Sequence, residues 1–261
     1  MAWWKRTTTG ARPTPRHGTR AERIEGLAAR NRDAARHLAD GDAAAAVRLL
    51  TSTVVACRAL LGDDHPDTLT AEGNLAVATV ADGRFDEGVD LSLGCAADRA
   101  RVLGPEDPRT LDAQDALATA YRLAGRHAEA LDTAARVADT RRHLFGPADP
   151  DTLGSHTGLA LAQVADGNPT AAAGILESAL RNADYTLGSR DLRTITIRAT
   201  LASCRAVLGR RADAVGGLEQ AVADATELLG PDHPDTRALR ADLADVRSPA
   251  ADRPQRLGLS A

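Results

Sequence analysis

Leucine, valine and alanine return along the chain in clusters spaced for one face of a helix. Leu69, Leu75, Ala76 and Val80 form one cluster, Leu111, Leu117 and Ala118 a second, and Leu153, Leu159 and Ala160 a third. Such spacing gives a helix a single apolar stripe. Each stretch ends at a glycine, Gly83, Gly125, Gly167 or Gly209. Glycine accepts the left-handed conformation that closes a helix, so each predicts a turn into a second helix. Five positions further stands a small residue, Gly88, Ala130, Ala172 or Ala214, where two helices would cross closely. The second helices are expected to run to Val102, Leu144, Thr186 and Leu228.

These clusters are copies of one unit. Leu61-Gly62, Leu103-Gly104, Phe145-Gly146, Leu187-Gly188 and Leu229-Gly230 recur every 42 residues. A constant period of this length marks a stack of identical supersecondary units. After each pair comes a short polar loop and a helix-start signal: His65-Pro66, Asp107-Pro108, Asp149-Pro150 and His233-Pro234. Proline suits the first helical position because its missing N–H would be unpaired there anyway. Asp before it can cap the free N–H groups, and His is a poorer cap. The fourth copy has Leu192 in place of proline and keeps Asp191. A threonine follows each time, at Thr68, Thr110, Thr152, Thr194 and Thr236.

The expected organisation is a flexible basic tail (1–18), a degenerate capping repeat (19–60), and four full units at 61–102, 103–144, 145–186 and 187–228. A lone capping helix (229–247) and a flexible polar tail (248–261) complete it. Asp33 occupies a position that is leucine later, which marks the first unit as degenerate. A finite stack needs such ends, because its terminal units have no neighbour to cover their apolar faces.

Composition narrows the function. Hydrophobic residues at 43% and charged residues at 26% are ordinary for a folded protein. With aromatics at 2%, the core must be built from Leu, Val and Ala. A net charge of −4 argues against general nucleic-acid binding, which favours basic surfaces. Cys57, Cys95 and Cys204 are odd in number and unpaired by spacing, which fits a reducing compartment. No secretory h-region is expected at the amino terminus, nor an apolar run of the ~20 residues that span a bilayer. Cytoplasmic location is therefore the expectation. Lys5 is the sole lysine, a bias associated with high-GC bacterial genomes.

The phrase carried by Leu61-Gly62, His65-Pro66-Asp67-Thr68-Leu69, Asn74-Leu75-Ala76, Gly83 and Glu87 resembles the tetratricopeptide repeat family, in the 42-residue form of kinesin light chains and many bacterial proteins. The resemblance covers residues 61–247 well and 20–60 weakly. It implies an all-α fold: a right-handed α-solenoid of stacked antiparallel helix pairs, with the first helix of each pair lining a concave groove. The groove positions it implies are Thr70, Gly73, Asn74 and Val77, then Asp112, Asp115, Thr119 and Arg122. Gly154, Thr157, Leu161 and Val164 follow, and after them Thr196, Ala199, Ser203 and Ala206. Chaperone-binding relatives clamp a terminal carboxylate with Lys and Asn, but no lysine occurs at these positions. The paired Asn of kinesin light chains is reduced here to Asn74.

Other chemistry is thinly represented. His65 and His233 belong to the start signal. His127 and Glu129 fall just after Gly125, where the repeat predicts solvent exposure. Asp63, Asp64 and Asp67 lack the ligand spacing of a calcium loop, and no phosphate-binding glycine motif or nucleophile elbow occurs. No catalytic residue, cofactor or metal is expected. Arg122, Arg198 and Arg205 lie on first helices and would give the groove a positive lining for acidic peptide, through bidentate bonds to carboxylate. Trp3 and Trp4 beside Lys5-Arg6 combine amphipathic rings with cations, suited to a partner pocket or to weak association with an anionic membrane surface. The expected function is a monomeric, non-catalytic scaffold or adaptor binding a peptide or partner protein in the groove. The alternative is a regulatory or ligand-sensing protein acting in trans on a signalling NTPase or transcription regulator.

Overall fold

The computed structural model describes residues 19–248. The expectations for Trp3, Trp4 and both tails, except Ser248 itself, lie outside the described residues. Eleven helices run in succession, with no strand among the described residues: α1 (Arg20–Ala39), α2 (Ala43–Leu61), α3 (Pro66–Ala81), α4 (Phe85–Leu103), α5 (Pro108–Leu123), α6 (His127–Phe145), α7 (Pro150–Ala165), α8 (Pro169–Thr186), α9 (Leu192–Val207), α10 (Arg211–Leu229) and α11 (Pro234–Arg247). Each packs on the helices before and after it. From α1 to α9, each odd-numbered helix also packs on the next odd-numbered one, and successive even-numbered helices do not meet closely. The odd helices therefore crowd the inner side of an all-α solenoid, and the even helices fan out behind them.

The start signals act as the sequence implies. Asp107, Asp149 and Asp191 side chains accept backbone N–H bonds from Arg109, Asp151 and Arg193 at 2.8–3.0 Å. His65 and His233 accept the equivalent bonds at Nδ1, over 3.2 and 3.3 Å. Asp191 thus starts α9 without proline. The recurrent threonines 68, 110, 152, 194 and 236 are all fully buried, and Thr68 Oγ1 donates to the Gly62 carbonyl at 2.7 Å. Helices α4, α6 and α10 run one residue past the expected end before a glycine with φ of +90° to +97°. Helix α8 stops at Thr186, with Leu187 as a right-handed C-cap residue before Gly188 turns over at φ +87°.

Alanines dominate the core. Ala46, Ala130, Ala172 and Ala214 are fully buried at the crossing of each pair. At Gly88 a Cβ would lie 2.4 Å from Val80 Cγ2, so the glycine itself permits that approach. Contrary to the sequence expectation, α2 is long and apolar enough by composition to cross a membrane. Its position between α1 and α3, with Ala46, Val47, Leu50, Val54 and Cys57 buried, gives that apolarity a packing role.

Asp149 receives N–H bonds from both Asp151 and Thr152. Asp149→Ala should cost about 1 kcal/mol, the usual worth of an N-cap, and His233→Ala clearly less. Urea unfolding together with amide exchange at Asp151 and Thr152 checks the ranking.

Candidate functional site

The inner helices are held by polar contacts that repeat along the seams between units. Residues 58, 142, 184 and 226 lie on even helices, and residues 72, 156, 198 and 240 face them fourteen positions later. Arg58 bonds Glu72 at 2.8 Å, Asp184 bonds Arg198 at 2.8 Å, and Thr226 Oγ1 receives Arg240 Nη2 at 3.2 Å. The charge order reverses between the first seam and the fourth. The fourth seam is the most buried of these: Arg198 is 8% exposed and also bonds Asp224, itself 6% exposed, at 2.5 Å. At the remaining position His156 faces Arg142. Burial, and then the Arg142 charge, hold the His156 pKa below the ordinary histidine range.

A second contact, made at equivalent positions of α4 and α6, joins these two even helices to inner helices. Arg99 donates to the carbonyls of Leu69 and Arg109. Arg141, one period later, donates to the Asp151 carbonyl and Ser155 Oγ, and pairs with Asp112 and Asp115. Ser155 Oγ in turn donates to Asp115 at 2.7 Å. Burial pushes the Asp115 carboxyl up, against the opposing pull of Ser155 and Arg141. None of these pairings was assigned from sequence, although opposite charges fourteen apart were the available signal.

The expected groove residues take different roles around these seams. A cavity of about 140 Å³ brings together Asp115, Thr119 and Arg122 of α5 with Leu161 of α7. A second, of about 170 Å³, joins Asn74 and Val77 of α3 to Asp112 of α5. Asn74 also donates to Asn31 Oδ1 of α1 at 3.0 Å. Thr70, Thr157 and Ser203 turn their hydroxyls back onto the carbonyls of Pro66, Leu153 and Ala199. Val164 packs against the apolar cluster containing Leu153 and Leu176.

The arginine expectation needs revision. Arg198 is a buried seam residue, because its guanidinium is consumed by Asp184 and Asp224. Arg205 is half-buried and paired with Glu177 of α8 at 3.1 Å. The Arg122 guanidinium alone of the three has neither an ion pair nor a hydrogen bond among the described residues, and burial pulls its pKa down.

Other candidates are absorbed by structure. Glu129 pairs with Arg126, which also stacks 4.6 Å above the Tyr121 ring. His127 is half-buried rather than exposed, since α6 begins at it and its Nδ1 is turned inward. Asp64 bonds Arg101. The three cysteines are buried and free, and burial pushes Cys204 up to about 11. No cluster of His, Cys, Asp and Glu suited to a metal occurs among the described residues.

Two sequence profiles described as tetratricopeptide repeat match the chain, one over residues 69–143 and the other over 27–67 and 206–235, together more than half its length. The fold is similar to that of nearly identical TPR-like repeats of a kinesin-light-chain-type protein from Podosopora anserina, at 28% identity and a TM-score of 0.66 over 81% of this chain and 98% of that one. BtubC (BKLC) from P. vanneervenii is similar at 18% identity and TM-score 0.59, over 88% of this chain and 83% of that one. A thermophilic TPR protein of Thermus thermophilus matches at 20% identity and TM-score 0.59, over 84% and 99%. No curated protein matches the sequence. A stack of this kind serves generally as a protein–protein interaction scaffold.

Two seam residues give tests. Arg198→Met leaves Asp224 charged and buried, so it should cost about 3–5 kcal/mol, as breaking buried ion pairs does. Arg198→Met with Asp224→Leu should recover most of that in thermal unfolding. For His156, a folded pKa below the unfolded value means the unfolded chain takes the proton first. Stability is then fully present above the ordinary value of about 6.5 and declines as pH falls through the folded pKa. Replacing it by Gln, the residue at position 114 one period earlier, should flatten that part of the stability–pH profile.

Proposed function

The chain belongs to the tetratricopeptide repeat family, and we propose that it is a non-catalytic adaptor that binds a peptide or partner protein along its concave face. The observation that carries this reading is the division of labour between helices. Even helices and seam ion pairs fix the inner helices, while Val77, Thr119, Arg122 and Leu161 remain at two neighbouring recesses on the inner side. A rigid surface of this kind binds by preorganisation: the ligand bears most of the ordering cost, and exposed side chains discriminate.

The adaptor works in this proposal as a cytoplasmic monomer without cofactor, and its partner is protein rather than nucleic acid or membrane. The net charge of −4 supports the exclusion of nucleic acid. The pairing of Arg205 with Glu177 narrows the positive lining of the groove to Arg122.

A photo-cross-linking amino acid placed at Thr119 or Thr157, on the inner helices, should capture a specific partner in cells of the source organism. The same group at Asp90, exposed on α4, should not. Capture from Asp90 with none from the inner positions would move the binding surface to the outer helices.

A further inference from the structure

On the premise that the concave face binds a protein, we propose that the notch between α5 and α7 is a recognition pocket for one acidic side chain, a glutamate of the partner, with Arg122 as its carboxylate ligand. The argument begins with the arginines. Among the described residues every buried or half-buried arginine except Arg122 is committed: Arg99 to carbonyls, Arg141 to Asp112 and Asp115, Arg198 to Asp184 and Asp224, Arg205 to Glu177. The other arginines without partners are all exposed. Arg122 therefore gives up part of its hydration and receives no anion in return. Its lowered pKa has desolvation as the cause, with no acid opposing it.

The space beside it is built for a guest. The cavity holds about 140 Å³ and is backed by Ala118 and Ala134. At about 30 Å³ per water, that is room for roughly four or five waters, or one side chain. Its opposite wall is Gly154 and Gly158 of α7, where an added Cβ would meet nothing within 4 Å. Gly73, on α3, is different, because Arg99 Nη2 lies 3.0 Å from its missing Cβ. Helix interiors disfavour glycine relative to alanine, and no packing contact requires it at 154 or 158. What the two glycines provide is open space facing Arg122.

The pocket also limits its guest. Asp115 lies at the far end, seven residues from Arg122 and so about 10 Å along α5. Its carboxylate is already bonded by Arg141 and Ser155 and does not neutralise Arg122. It repels a second carboxylate, which restricts the pocket to one. A chain terminus would bring a backbone amide needing an acceptor, and Asp115 is committed. An extended acidic side chain needs only the guanidinium, with the Thr119 hydroxyl on the same wall.

The test follows the Arg122 Nε–Hε resonance in the 15N-labelled full chain, assigned by its loss in Arg122→Gln. Three peptides are titrated at millimolar concentration: acetyl-Gly-Glu-Gly-amide, acetyl-Gly-Gln-Gly-amide, and acetyl-Gly-Gly-Gly with a free carboxyl terminus. A saturable shift is expected with the glutamate peptide alone. It should be lost in Gly158→Leu, which fills the notch and leaves the arginine at 122 in the sequence, and reduced in Gly158→Ala, which keeps the experiment decisive if the larger residue unfolds α7. Equal shifts with glutamine, preference for the free terminus, or binding undisturbed by both substitutions would overturn the proposal. Inner-face cross-links that persist in Arg122→Gln without any peptide shift would remove the pocket and leave the adaptor standing. Absence of inner-face cross-links would remove the adaptor reading itself.

Discussion

The stack depends on how closely two helices cross within each unit, and one residue per unit sets that distance. Ala46, Gly88, Ala130, Ala172 and Ala214 occupy equivalent positions and are all buried. A helix pair cannot bury both of its apolar faces by itself, so its neighbours must complete the core. With so few aromatics, little bulk is available to fill a wider gap between helices. A larger residue at the crossing would push one helix outward, and every later unit would inherit the displacement. The small residue therefore fixes the curvature of the inner face as well as the stability of its own unit.

Apolar packing between similar units does not by itself specify which copy follows which. The seam pairs supply that distinction. Arg58–Glu72 and Asp184–Arg198 use the same two positions with opposite polarity, and Arg142 beside His156 offers no pairing at all. A slip of three units would set Arg58 against Arg198 across a seam. Charges on one seam are thus matched locally and mismatched elsewhere, as in specificity by repulsion. Among these seam pairs the cost is greatest at the more buried one, at Arg198, because the charge there has lost its water and depends on Asp184 and Asp224.

This division explains what the sequence could and could not disclose. Helix starts, glycine turns and the repeat length are local properties, so Asp191 announces α9 even without proline and Gly83 announces the turn before α4. The Thr19–Glu22 capping box at the start of α1 was equally open to reading, through its T-x-x-E spacing. Side-chain destination is a property of neighbouring elements. Arg122, Arg198 and Arg205 look alike as arginines on first helices, and all three were assigned to the groove. Which one is free depends on acids from another helix, and for Arg198 on an acid 26 residues later in the chain.

The offsets nevertheless contain the distinction once the seam is known. Arg198 finds Asp184 fourteen residues back, and Arg205 finds Glu177 twenty-eight residues back. The same steps from Arg122 lead to Pro108 and Gly94, neither of which can pair with a guanidinium. The inward-facing side of α7 adds Gly154 and Gly158 where a carboxylate would have been needed. The residues that would have made Arg122 one more structural arginine are missing from each helix able to supply them. A scaffold that satisfies its other sheltered arginines internally leaves this one to be satisfied from outside.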